Sequence, residues 1–260
     1  MSRRANRGRV GRPVTASLRH DRDLTVGSVF PTRVALARGR CSVGVVACLL
    51  ALFTVLFSIV RRGASRELDL RATVALQRRQ QPWFRRLMET VSWPGFPPQS
   101  RLIPPLLALL WLLLGYPLEA VFQFAGWGTG LISFLVKRTM RRPRPTPDLV
   151  QVEAANIGGS SFPSGHVINY IGIYGTLAYL TAAVVRPAWV RKPVLALCGT
   201  LIALVGPSRM YLGHHWLTDV TASYLLGTSY VLGLTALYRR VKVRSLVRER
   251  VRPNPDAPTA

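Results

Sequence analysis

The chain has 260 residues, and 35 Lys and Arg against 11 Asp and Glu give a formal net charge of +24. Charged residues make up only 18% and apolar ones 49%, against about 25% charged in an ordinary soluble domain, so the balance is that of a membrane protein with basic flanks, not of a soluble nucleic-acid binder. Cys41, Cys48 and Cys198 all sit in apolar runs without C-x-x-C or Cys/His metal spacing, which excludes a disulfide-stapled secreted module and a zinc module.

Residues 1–40 carry ten Arg and two Asp and read as a disordered cytoplasmic tail. The uncharged stretch Cys41–Val60 follows; its 20 residues suffice to cross about 30 Å of hydrocarbon at about 1.5 Å per residue. Its long basic lead and the lack of an A-x-A site make it a span, not a cleaved signal. In the connection Arg61–Ser100, Phe84, Leu87, Met88 and Val91 recur at helical spacing, with Arg85 and Arg86 on other faces. That spacing predicts an amphipathic helix on the membrane surface, then a turn at Trp93-Pro94-Gly95.

Five more uncharged stretches follow: Leu102–Leu118, Ala120–Val136, Val167–Val185, Pro193–Ser208 and Val220–Tyr238. The shorter ones need flanking residues or a thinned bilayer. Together the six predict an all-α, six-helix transmembrane bundle over residues 41–240, with the interfacial amphipathic helix between spans one and two. Residues 241–260 complete the chain as a second basic cytoplasmic tail, and Val241, Val243, Leu246, Val247 and Val251 among its basic residues suit contact with anionic lipid.

With the N-terminus cytoplasmic, six spans return the C-terminus to the same side, and Lys and Arg divide 20 inside to 15 outside. The bias has the expected sign. Five of the outer cations cluster in Lys137–Arg144.

Three short motifs stand at span ends. Lys137 closes span three and is followed by Arg144-Pro145; Phe162-Pro163-Ser164-Gly165-His166 opens span four; Ser208-Arg209 closes span five, and His215 and Asp219 open span six. Alternating crossings bring all three to one surface whichever way the chain is inserted. Taken singly, Lys137, Arg138 and Arg209 fit basic residues snorkelling at span ends, His166 fits a helix cap, and His215 with Asp219 fits a structural hydrogen bond. Taken jointly they supply a phosphoryl site. Arg144 and Arg209 can each fork two donors onto a phosphoryl group, and Lys137 adds a point charge. The amides of Ser164, Gly165 and His166 would open a helix N-terminus toward an anion, and Gly165 allows close approach. Asp219, four residues after His215, would share a helix face with it and hydrogen-bond the imidazole, leaving the other ring nitrogen as nucleophile. His214, five residues before Asp219, misses that face.

On these motifs the chain resembles the type 2 phosphatidic acid phosphatase family, a superfamily that includes glucose-6-phosphatase and the vanadium haloperoxidases. Its pattern, K-x6-R-P, P-S-G-H and S-R-x5-H-x3-D, is met at Lys137, Arg144, Pro145, Pro163, Ser164, Gly165, His166, Ser208, Arg209, His215 and Asp219. A second pair, Arg142-Pro143, blurs the register of the first motif. The resemblance implies metal-independent hydrolysis of a phosphomonoester or diphosphate through a phosphohistidine, with no cofactor. His215 would attack phosphorus and Asp219 orient it. His166 would protonate the leaving oxygen, and Lys137, Arg144, Arg209 and the Ser164–Gly165 backbone would hold the phosphoryl oxygens. The implied substrate is a lipid phosphate such as phosphatidic acid, phosphatidylglycerol phosphate or undecaprenyl diphosphate, met at the extracytoplasmic face of the cell membrane. Two other readings compete: phosphotransfer to an acceptor other than water, and a non-catalytic basic membrane protein that organises anionic lipids.

Overall fold

The computed structural model describes residues 32–155 and 157–251, with side chains from Ser42 to Ser245 apart from residue 156. Met1–Cys41 and Ser42–Ala260 are separate units, and the tail expectations for residues 1–31 and 252–260 lie outside the described residues. Nine α-helices and no strand occur among the described residues: α1 (Thr32–Arg61), α2 (Arg66–Gln77), α3 (Pro82–Ser92), α4 (Gln99–Leu113), α5 (Pro117–Ala125), α6 (Thr129–Thr139), α7 (Gly165–Val184), α8 (Ala188–Tyr211) and α9 (Leu217–Val251).

Among the described residues, five segments are long and apolar enough to cross a membrane: Ser42–Arg61, the α5–α6 pair Pro117–Thr139, Gly165–Val184, Ala188–Tyr211 and Leu217–Ser245. The shorter apolar helix α4, with 15 residues, completes a six-helix transmembrane bundle. Three features differ from the sequence expectation. Helix α1 begins at Thr32, inside the segment read as tail. The connection holds an additional helix, α2. Helix α9 runs on to Val251, so the start of the basic C-terminal stretch extends span six.

Local chemistry explains the boundaries. Pro117 occupies the first turn of α5, where its missing N–H costs nothing, and Gly115 (φ +81°) turns the chain between α4 and α5. Helix α7 is hydrophobic on all sides, as befits a central element. It buries Val167, Ile168, Tyr170, Ile171 and Ile173 and packs on α8 and α9. Gly172 makes room for this: a Cβ there would strike the Gly126 carbonyl and Thr129. By contrast α1 exposes Val43, Leu52 and Val55, and α4 exposes Leu102, Leu106 and Leu113, as lipid-facing surfaces do.

The connection lies against the end of the bundle where α6 and α8 finish and α7 and α9 begin. Tyr170 donates its hydroxyl hydrogen to the Val91 carbonyl (2.7 Å), and Ser208 donates to the Met88 carbonyl (2.5 Å). The amphipathic pattern of α3 thus serves protein packing: Met88 and Val91 are buried, while Trp83 and Leu87 stay exposed.

Candidate active site

Helix α8 ends at Tyr211, and the chain turns through Gly213 in the left-handed region (φ +69°) before α9. A Cβ on Gly213 would also collide with the Gln151 carbonyl, so glycine satisfies both demands. This turn delivers His214 and His215 to the interior. His215 Nδ1 donates to the Ser161 carbonyl at 2.8 Å. With the proton on Nδ1, Nε2 carries the lone pair, and it faces Arg144 Nη1 at 3.2 Å. Burial, reinforced by the cations Arg209, Arg144 and Lys137, holds the His215 pKa well below the ordinary imidazole value. This favours the neutral ring, with its lone pair at Nε2.

The expected helical Asp219–His215 hydrogen bond is replaced by another arrangement. His215 precedes α9, and its Nδ1 lies 3.6 Å from Asp219 Oδ2, beyond a good N–H···O distance. That Asp219 oxygen instead accepts the Trp216 N–H at 2.9 Å, capping α9. The Ser161 carbonyl is the direct hydrogen-bond partner that orients the imidazole, and Asp219 stands close behind the ring without bonding it.

Around Nε2 the other motif residues converge. Lys137, at the end of α6, donates to the Ser160 carbonyl at 2.6 Å. Arg144, from the following loop, donates to the His214 carbonyl at 2.9 Å and the Gly158 carbonyl at 3.2 Å, and burial lowers its pKa. Arg209 is wholly inaccessible; its Nη1 donates to Ser92 Oγ at 2.5 Å and its guanidinium lies 4.9 Å from the centre of the Phe96 ring. The Ser164 amide is already spent on Ser223 Oγ at 2.8 Å, which removes it from the expected anion-binding backbone. The Ser164 hydroxyl is the group left over. Gly165 opens α7, and nothing nearer than Ser133 Oγ approaches the place of its missing Cβ.

Buried polar atoms ordinarily have partners. Here Arg209 Nε and Nη2, Arg144 Nε, Ser164 Oγ and His166 Nε2 are buried without a partner among the described residues. Leaving such groups unmet costs about 1–3 kcal/mol each. An oxyanion placed among them would meet the guanidinium and hydroxyl donors together.

Three residues of this site escaped the sequence reading: Ser92, Gly95 and Phe96, in and beside the Trp93-Pro94-Gly95 turn. Phe96 stands edge-on to His166, with ring centres 4.6 Å apart. A Cβ on Gly95 would overlap the His166 ring. The only sequence signal was the predicted turn itself. Nearby, His214 is fixed through Nε2 to the Glu153 carbonyl at 2.9 Å, and burial pushes its pKa down to about 4. Glu153 anchors its loop by an ion pair to Arg85 (2.5 Å), and Asp148 is exposed.

A family model described as the PAP2 superfamily matches residues 101–242. Phosphatidylglycerophosphatase B of Bacillus subtilis (strain 168) is 27% identical over 184 residues, which are 69% of this chain and 87% of that protein. The crystal structure of a transmembrane PAP2-type phosphatidylglycerolphosphate phosphatase from Bacillus subtilis superposes with a TM-score of 0.63 at 24% identity, covering 75% of this chain and 96% of that one. Aquifex aeolicus LpxE superposes with a TM-score of 0.51 at 18% identity over 65% of this chain and 94% of its own.

Proposed function

The chain belongs to the PAP2 superfamily and is a membrane phosphatase, and we propose that it hydrolyses a lipid phosphate through a phosphohistidine on His215. The observation that carries this reading is the neutral Nε2 lone pair of His215 set beside buried cationic donors that lack partners. Binding of the phosphoryl group draws Arg144 from Nε2 onto a phosphoryl oxygen and gives Arg209 Nε and Nη2 and Ser164 Oγ their acceptor. Nε2 then attacks phosphorus as the P–O bond to the lipid breaks, and His166, protonated in the substrate complex where the phosphoryl charge offsets the surrounding cations, gives its proton to the leaving oxygen. In the second half, water attacks the phosphohistidine, His166 takes the water's proton, and inorganic phosphate leaves with His215 restored. Fixed cations neutralise the charge on the equatorial oxygens throughout, which is most of what phosphoryl transfer requires. The reaction accordingly needs no metal ion.

Around His215 the buried Arg209 and the half-buried Lys137, Arg142 and Arg144 face the carboxylates Asp69 and Asp219. The relatives' names make phosphatidylglycerol phosphate the first substrate to test, ahead of phosphatidic acid and undecaprenyl diphosphate. The Lys and Arg distribution supports a site on the extracytoplasmic face.

The test is phosphate release from a panel of these lipids in detergent micelles with EDTA, for wild type and His215→Ala. The expected loss is at least about 1,000-fold, with base-stable phosphohistidine trapped only in wild type; a wild-type rate in the variant sinks the reading. Added alcohol acceptors that divert the phosphoryl group would identify phosphotransfer. Because the His215 pKa is held down, the acid limb of the wild-type rate profile lies below pH 6.5 when His215 controls it.

A further inference from the structure

The two Arg-Pro pairs of the first motif are parted by the fold. After α6 the backbone is extended at Met140, so Arg142 and Arg144, two residues apart, could have shared a side. They do not share a target: Arg144 reaches His215, whereas Arg142 reaches the far side of Asp219. Arg142 Nη1 donates to Asp219 Oδ1 at 2.5 Å and to Thr218 Oγ1 at 2.7 Å. Its Nη2 donates to Asp69 Oδ2 of α2 at 2.5 Å, with Ser65 Oγ at 3.4 Å. Asp69 Oδ1 in turn accepts the Thr218 N–H at 2.9 Å. Asp69 and Asp219 are inaccessible and the Arg142 side chain is 10% exposed.

The Arg142 backbone is tied to the other support of the nucleophile. Its N–H donates to Ser160 Oγ at 3.2 Å, and its carbonyl accepts the Ser161 N–H at 2.9 Å. Ser161 is the residue whose carbonyl holds His215 Nδ1. One residue therefore braces both groups that act on the imidazole, the carboxylate through its side chain and the carbonyl through its backbone. Both guanidinium nitrogens that reach out from Arg142 are engaged by carboxylates, so it has no fork to offer a phosphate.

We propose that Arg142, clamped by Asp69 of the connection helix α2, is a positioning residue that keeps Asp219 in place and its charge balanced behind His215. The proposal rests on His215 being the nucleophile. It assigns Asp69, outside the three motifs, to the same device. Without Arg142, the unbalanced carboxylate would draw a proton onto the imidazole. Without Asp69, Arg142 would be shared with no second carboxylate and would offset Asp219 more fully. The two substitutions thus push His215 in opposite directions, against a constant background of Lys137, Arg144, Arg209, His166 and Asp219.

The experiment measures kcat, KM and the pH profile of kcat for Arg142→Gln, Arg142→Lys and Asp69→Asn in detergent, on the lipid phosphate that wild type turns over. For Arg142→Gln, kcat falls about 100-fold, KM changes less than about threefold, and the acid limb moves up by about one pH unit or more. Arg142→Lys, a point charge without the fork, restores part of the rate. Asp69→Asn moves the acid limb down or leaves it in place, never up. A KM rise at constant kcat in Arg142→Gln would make Arg142 a phosphate ligand and overturn the proposal. So would acid limbs that move together in all variants, as they would for loosened packing. If Arg142→Gln does not fold, the Lys and Asn variants decide by the same signs. Wild type inactive on every lipid phosphate would instead remove the phosphatase reading beneath it.

Discussion

Helix α9 carries a buried carboxylate cluster near each end, and the two differ in what they leave unmet. At its far end, Glu119 of α5 accepts from Tyr238 (2.8 Å) and from Lys242 (2.6 Å), and no atom of the three residues is buried without a partner. At its start, Asp219 and Asp69 share Arg142, while Arg209, Arg144, Ser164 and His166 beside them retain buried, partnerless atoms. The first cluster is a closed structural clasp. The second is open, with buried donors on Arg144, Arg209 and Ser164 that have no acceptor among the described residues. Burial and charge are common to both ends; what distinguishes the open one is that several of the charged side chains gathered there keep partnerless atoms.

Substitutions at the two ends should therefore trade activity against stability in opposite senses. The largest contrast is expected at Arg209. Arg209→Met removes a donor that the proposed mechanism places on phosphate, so turnover should fall about 100-fold or more, yet it also removes a buried cation with a single hydrogen-bond partner among the described residues. The thermal midpoint in detergent should hold or rise; a marked fall would place Arg209 with the clasp. A smaller effect is expected at Gly95→Ala. The new methyl displaces the His166 ring, so kcat should drop about tenfold with KM little changed, and an unaltered kcat would show that the turn yields freely. At Glu119→Gln the sense reverses: stability should fall by about 1 kcal/mol, while turnover stays within about twofold of wild type. A large activity loss there would mean that the ends of α9 are coupled.

The acid side of the stability curve belongs to the open end as well. His214 and His215 are held neutral by burial, so the unfolded chain binds protons that the fold refuses. Their contribution is complete above the ordinary imidazole value near 6.5 and is lost as pH falls, for His214 down to about 4.

Much of this was readable before any coordinates. Uncharged stretches located the crossings, since hydrocarbon tolerates no ionised side chain without a partner. The parity of crossings put Lys137, Arg144, Ser164, His166, Arg209 and His215 at one end, and the structure places them around one centre. Two readings failed for a shared reason. The Asp219–His215 bond assumed that α9 reached back to His215, and the Ser164 amide was assigned to an anion although Ser223, 59 residues on, takes it. In both cases a partner distant in sequence won the hydrogen bond.

Charge and hydropathy along the chain determined roughly where it can cross a membrane and which titratable side chains gather at one end of the bundle, because these follow from the cost of burying charge in lipid. Only the tertiary structure decided which oxygen holds His215 Nδ1, which of two neighbouring arginines meets the Nε2 of that ring, and that Asp69, Ser92, Gly95 and Phe96 lie in or beside the same cluster. Those choices turn on ångström-scale competition between partners tens to more than a hundred residues apart, and no local pattern encodes its outcome.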